Sequence, residues 1–176
     1  NNSCWFASFN EGVYQFDINQ NPFQNYNIEM GYFNGLQSNS VTHIAPFDQN
    51  RVYLSATLGG VALFDTKKQK FDPLPFNLPK ESNRNASAIF VDKRQNTWIR
   101  INKENGLTRI KKGQEILEKI TFENIPLSVD VIIRSFSEDR FGNIWVGTNL
   151  GVYKISLNDL NDVILVESLN DNSFFK

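Results

Sequence analysis

The sequence predicts an all-β chain, a β-propeller segment of about four four-stranded blades. Aromatic-led apolar stretches recur at one interval, a glycine follows each at nearly the same interval, and no window holds an amphipathic helix. Trp5, Tyr53, Trp98 and Trp145 lead the segments 5–17, 53–65, 98–111 and 145–156, at spacings of 48, 45 and 47. Gly12, Gly60, Gly106 and Gly151 follow them at spacings of 48, 46 and 45. Loops absorb a drift of a residue or two while paired strands keep their register.

Each later unit starts with a strand upstream of its aromatic. Ile44, Ile89 and Phe136 stand nine residues before Tyr53, Trp98 and Trp145, with Val41, Ala86 and Ile133 three residues earlier still. Polar turns separate the two stretches: D-Q-N at 48–50, D-K-R-Q-N at 92–96 and E-D-R-F-G-N at 138–143. Asp48, Asp92 and Asp139 recur there as turn-capping acids, because a carboxylate takes backbone hydrogen bonds from the residues after it. The repeat glycine then opens a third strand, at a turn where φ must be positive or backbones pass closely. A variable fourth strand follows at Phe23–Ile28, Phe71–Phe76, Ile116–Phe122 and Val163–Val166, and E-I-L-E-K-I (115–120) is a candidate helical turn.

Four short strands in about 47 residues make a sheet too small to bury both faces, so such sheets stack radially. The large flat indole suits the wedge between neighbouring sheets. L-Q-S-N-S-V (36–41) recurs as L-N-D-N-S-F (169–174), which sets the frame. One propeller domain over 1–176 then divides into 1–35 (lacking its first strand), 36–82, 83–127, 128–168 and the start of another unit at 169–176. Phe174 and Phe175 beside the Trp5 strand would close a four-bladed ring. So few residues remain for that strand that an open arc of a larger propeller is expected.

Composition narrows function. The 176 residues carry 18 Lys+Arg against 19 Asp+Glu, so no basic excess exists to displace counterions from nucleic acid. No apolar run approaches the length of a membrane span, and no membrane contact by this segment is expected. Cys4 is the single cysteine and cannot form an internal disulfide. His43 is the only imidazole, mid-strand, and reads as a structural or pore-facing residue. A catalytic pair is needed once, whereas the turn acid recurs in every later unit. No P-loop, dinucleotide fingerprint, zinc spacing or calcium loop occurs. No catalytic, cofactor-binding or metal-binding residue is therefore expected.

A ligand would sit where first strands begin and where second and third strands join. Those loops, 36–40, 83–87, 128–130, 58–60, 102–106 and 149–151, are rich in Asn and Ser, which suit hydroxyl-rich ligands. The candidate contacts are Asn39, Ser40, Asn85 and Asn149, with Arg100, Lys103 and Arg134 for a carboxylate or sulfate group. Lys67, Lys68, Lys70, Lys111 and Lys112 read as a solvated rim.

The stretch R-S-F-S-E-D-R-F-G-N-I-W-V-G-T-N-L-G-V-Y-K-I (134–155) resembles the two-component regulator propeller repeat. The matching residues are Arg134, Asp139, Gly142, Asn143, Trp145, Gly147, Thr148, Gly151 and Tyr153. The other units are weaker copies, and Arg100 stands where the fourth unit has Gly147. The resemblance implies the periplasmic sensor region of a Bacteroidetes hybrid two-component system, anchored in the inner membrane and reading glycan breakdown products. It also implies a propeller of about seven blades, of which this chain is a portion. The expected partners are an oligosaccharide, the remainder of the same receptor chain with its histidine kinase, and a second receptor copy. Two other readings stand beside it: a protein-docking scaffold, and a propeller lyase that would need His43 as its base.

Overall fold

The computed structural model describes residues 3–8, 11–17, 23–26, 35–78, 86–101, 106–122 and 131–169. Among them the chain is all β. The strands are β1 (Ser3–Ser8), β2 (Gly12–Asp17), β3 (Phe23–Tyr26), β4 (Val41–Pro46), β5 (Arg51–Ala56), β6 (Gly60–Asp65), β7 (Lys70–Asp72) and β8 (Ala86–Val91). They continue as β9 (Thr97–Ile101), β10 (Gly106–Ile110), β11 (Glu118–Thr121), β12 (Ile133–Glu138), β13 (Ile144–Thr148), β14 (Gly151–Leu157) and β15 (Val163–Ser168). Four antiparallel meanders result: β1-β2-β3, β4-β5-β6-β7, β8-β9-β10-β11 and β12-β13-β14-β15. These are propeller blades, three with four strands and the first with three among the described residues. Compact packing divides the chain into one unit at 1–90 and another at 91–176.

The sequence ladder is a ladder of register. Across successive strands, Trp5 faces Gln15 and Gln24, and Tyr53 faces Leu63 and Asp72. Trp98 faces Arg109 and Glu118, while Trp145 faces Lys154 and Glu167. In the third blade this row is a buried cation sandwich. The Arg109 guanidinium lies 5.3 Å from the Trp98 ring centre and donates from Nε to Glu118 Oε2 at 2.9 Å. Lys154 Nζ meets Glu167 Oε2 at 3.4 Å in the fourth.

All four repeat glycines have positive φ, from 76° to 134°. Gly106 shows why no side chain is tolerated: a Cβ there would lie 1.9 Å from the carbonyl oxygen of Ile120 on the paired strand.

The turns into β9 and β13 share one construction. Each is a three-residue loop whose last member is left-handed, Gln95 at φ 66° and Gly142 at φ 81°. Asp92 Oδ2 accepts from Asn96 Nδ2 at 2.8 Å and Trp98 Nε1 at 2.9 Å, and Asp92 Oδ1 from Asn96 N at 2.8 Å. Asp139 repeats this with Asn143 Nδ2 at 2.8 Å, Trp145 Nε1 at 3.0 Å and Asn143 N at 3.0 Å, adding Phe141 N at 2.8 Å. The acid caps the turn and also hooks the indole of the following strand.

Asp48 departs from that pattern. Pro46 pairs with Val52 as Glu138 pairs with Ile144, so Phe47, not Asp48, occupies the Asp139 position. Phe47 packs edge-on against Tyr53 at 5.1 Å, and Asp48 caps its own turn through Asn50 N and Arg51 N. Tyrosine has no ring N–H to hook, so an aromatic contact replaces the hydrogen bond.

Two sequence expectations are corrected. The stretch 115–120 forms no helix; residues 118–120 are in β11, because Glu118 and Ile120 pair with Arg109 and Leu107. Of Phe71–Phe76, only Phe71 and Asp72 are in β7, since Pro73 and Pro75 lack the N–H a ladder needs. The positions of Phe174 and Phe175 lie outside the described residues.

Cores differ between the units. Trp5 stacks on Tyr26 at 5.5 Å and meets Phe64 edge-on at 5.6 Å, above buried Val13, Leu36, Val41 and Leu54. In the other unit Phe122 and Tyr153 stack at 4.5 Å with planes 8° apart.

Gln95→Gly relieves a left-handed non-glycine residue and should raise urea-unfolding stability by about 0.5–1 kcal/mol, while Gly142→Ala lowers it similarly. Asp92→Ala strands three donors around a carboxylate in a residue only 2% exposed, and should cost about 3 kcal/mol in the same measurement.

Candidate functional site

Of the loops expected to hold a ligand, 36–40, 58–60 and 149–151 lie at the ends of the sheets opposite the acid-capped turns, while 83–85, 102–105 and 128–130 lie outside the described residues. In the first unit, residues 36–40 are fastened through the backbone. Gly12 N donates to Asn39 O at 2.8 Å, Thr57 N to Ser40 O at 3.0 Å, and Gln37 N to Gly59 O at 3.2 Å. Asn39 and Ser40 are half-buried in this web. Leu58 at the tip of the facing turn is 69% exposed with φ 56°.

A β-bulge marks the start of β4 and of β12, where Thr42 and Arg134 are the extra residues. A bulge re-aims the side chain it carries. Thr42 Oγ1 reaches Ser87 O at 2.5 Å and Ser55 Oγ at 3.1 Å. Arg134, at the same place on β12, is exposed, so its guanidinium can take a carboxylate or sulfate as a two-pronged partner. Gly147 makes room beside that bulge, since a Cβ there would stand 2.5 Å from Ser135 Oγ.

Asn149 is tied to the strand start. Its Oδ1 accepts from Ile132 N at 2.7 Å, and its N donates to Ile132 O at 3.0 Å. Thr148 Oγ1 donates to Gly151 O at 2.9 Å and accepts from Leu150 N at 3.0 Å, shaping the turn between them. Arg134 and Asn149 thus flank one loop of the second unit.

Arg100 is corrected from a ligand contact to an internal clamp. It is 1% exposed, and among the described residues its donors serve the backbone carbonyls of Val131 at 2.9 Å, Ile101 at 2.6 Å and Gly106 at 3.4 Å. The fourth blade has Gly147 at that register. Asn85 and Lys103 lie outside the described residues.

His43 is half-buried on β4, and desolvation pushes its imidazole below the usual range, partly offset by the Ser87 backbone. No cluster of three or more His, Cys, Asp or Glu side chains fit for a metal occurs among the described residues. No helix there is long and apolar enough to cross a membrane.

At the acid-capped end of the first unit, Trp5, Gln15, Asp48, Gln49, Asn50, Val52 and Thr66 bound a polar cleft of about 200 Å³. No motif marks it in the sequence, because its residues come from two repeats.

Two measurements follow from these placements. Arg100→Ala removes the guanidinium donors from these buried carbonyls and should cost about 3 kcal/mol in denaturant unfolding. Desolvation raises the Asp139 carboxyl, but donation from the Trp145 indole and the Asn143 and Phe141 groups outweighs it and holds the acid well below the usual range. Its share of stability is therefore complete above the unfolded value of about 3.9 and falls away as pH drops below it. The stability gap between wild type and Asp139→Asn should shrink between neutral pH and about pH 2, followed by urea midpoints.

Comparison with known proteins agrees with this architecture. Residues 126–150 match the two component regulator propeller family. The extracellular domain of BT3049 from B. thetaiotaomicron, assigned as a hybrid two component system, aligns at a TM-score of 0.64 and 18% identity. That alignment covers 93% of this chain and 20% of the other. The corresponding domain of BT4673 aligns at 0.68 and 19% identity, over 96% of this chain and 22% of that one. The dihydro-heme d1 dehydrogenase NirN aligns at 0.59 and 15% identity, over 96% and 35% of the two chains. No curated protein matches the chain. This chain spans about a fifth of the two-component domains whose fold it shares. Its 126–150 segment carries a two component regulator propeller repeat.

Proposed function

We propose that the chain is a non-enzymatic segment of the ligand-sensing propeller of a two-component regulator. The repeat at 126–150, set in a fold shared with extracellular domains of two-component systems, is the observation that carries this. The ligands are glycan-derived, and the signal passes to a histidine kinase outside this chain. The segment works in the periplasm, in a receptor anchored in the inner membrane and paired with a second copy.

Loop chemistry supports that ligand class. Asn and Ser side chains offer paired donors and acceptors for hydroxyls, and Arg134 adds a cation for acidic or sulfated sugars. NirN has the same fold and is a dehydrogenase, so fold alone does not assign the role.

Calorimetric titration of the parent receptor with a panel of oligosaccharides tests the proposal. Saturable heat with at least one glycan is expected, and absence of heat across the panel defeats it. Arg134→Ala should weaken binding of an anionic oligosaccharide about tenfold and leave a neutral one unchanged.

A further inference from the structure

We propose that Leu58, at the tip of the turn between β5 and β6, is an apolar ligand contact on which the C–H face of a bound sugar rests. This deepens the glycan-sensing reading above and rests on it. Four non-glycine residues have positive φ among the described residues: Leu58 at 56°, Gln69 at 54°, Gln95 at 66° and Asn161 at 64°. Gln69, Gln95 and Asn161 carry amides and stand in turns at the acid-capped ends of their sheets. Leu58 is the apolar member of the set, and it stands at the opposite end. A left-handed backbone crowds Cβ against the following carbonyl, and leucine has no polar group to recover that cost locally. Burial does not recover it either, because the residue is 69% exposed. Glycine or asparagine would sit there with less strain, so leucine is kept for what its side chain meets.

The surroundings fix that conformation from both sides. Thr57 N donates to Ser40 O at 3.0 Å, Gly59 N to Ala56 O at 3.0 Å, and Gln37 N to Gly59 O at 3.2 Å. Gly59 is packed so closely that a Cβ there would lie 2.8 Å from Ala56 Cβ and 2.9 Å from Ser38 N. With both neighbours fastened to the 36–40 loop, the leucine is held outward, and a ligand meets a residue already in place.

The fourth blade shows what the same turn looks like without this device. Thr148 pairs with Gly151 across two residues, whereas Ala56 pairs with Gly60 across three. Leu150 in the shorter turn is half-buried and is not left-handed. The extra residue is what lifts Leu58 into solvent. Beside it Gln37 is exposed and Ser38 and Asn39 are half-buried, which sets amide and hydroxyl groups next to an aliphatic tip. A sugar ring offers the matching pair of surfaces, a C–H face and an edge of hydroxyls. Leu58 carries no charge, so its contribution is the same for neutral and anionic sugars, unlike that of Arg134.

The test titrates the parent receptor, as wild type, Leu58→Asn and Leu58→Met, with cello-, chito-, malto- and oligogalacturonate oligomers. Leu58→Asn should weaken each glycan that binds the wild type by about tenfold, and Leu58→Met, which keeps an apolar tip, by less than about threefold. In the 1–176 chain Leu58→Asn should raise the urea midpoint, because asparagine tolerates the left-handed backbone. Weaker binding by a more stable variant separates a lost contact from a lost structure. Equal binding by wild type and Leu58→Asn overturns the role of Leu58 and leaves the sensing reading standing. A lowered urea midpoint in Leu58→Asn, or equal weakening by methionine and asparagine, makes the residue structural and also overturns it. No heat with any of the four glycans for the wild type defeats the sensing reading, and this proposal with it.

Discussion

A carboxylate at the end of one strand holds the indole of the next, and the better-formed blades are built around that contact. Asp92 and Asp139 each gather backbone and side-chain donors from a five-residue stretch and add the indole two residues later. Charge-assisted bonds of this kind are stronger than neutral ones, and they fix direction as well as distance. Three things are set together: the turn type, the register of the first two strands, and the rotamer of the ring filling the wedge. Where the hook is absent, as at Phe47 and Tyr53, an edge-on aromatic contact does the work with less directional control.

The hook also explains the rows that cross each sheet. Once the indole is fixed, the residue opposite it on the third strand must lie against an aromatic face or edge. Arginine meets that demand in the third blade and lysine stands there in the fourth, each with a glutamate opposite on the fourth strand. The cation in the third blade is buried, so its pairing with Glu118 is needed to offset desolvation. Leu63 removes the charge and the requirement together.

Much of this was legible in the sequence, and the reasons it was or was not are physical. The spacing of Trp98 from Asp92, and of Trp145 from Asp139, follows from a hairpin of fixed length, so it survives in the text. The positive φ of the repeat glycines was readable because few other residues accept it. Asp48 misled because in a turn of the same length the acid stands one position later, off the register while still in the turn. Arg100 misled because a guanidinium near a loop looks solvated until its burial and its backbone carbonyl partners are known. The cleft beside Trp5 was invisible because its walls come from segments far apart in the chain.

The ties between the third and fourth blades have a consequence for how such chains change over time. Arg94 and Lys93 reach backbone oxygens, of Asn158 and Asp139, as well as side chains. A carbonyl is present whatever residue supplies it. Such a tie tolerates sequence drift on its accepting side, and it can re-form after a whole repeat is deleted or duplicated. Blade number can therefore vary through recombination while neighbouring sheets keep a working joint.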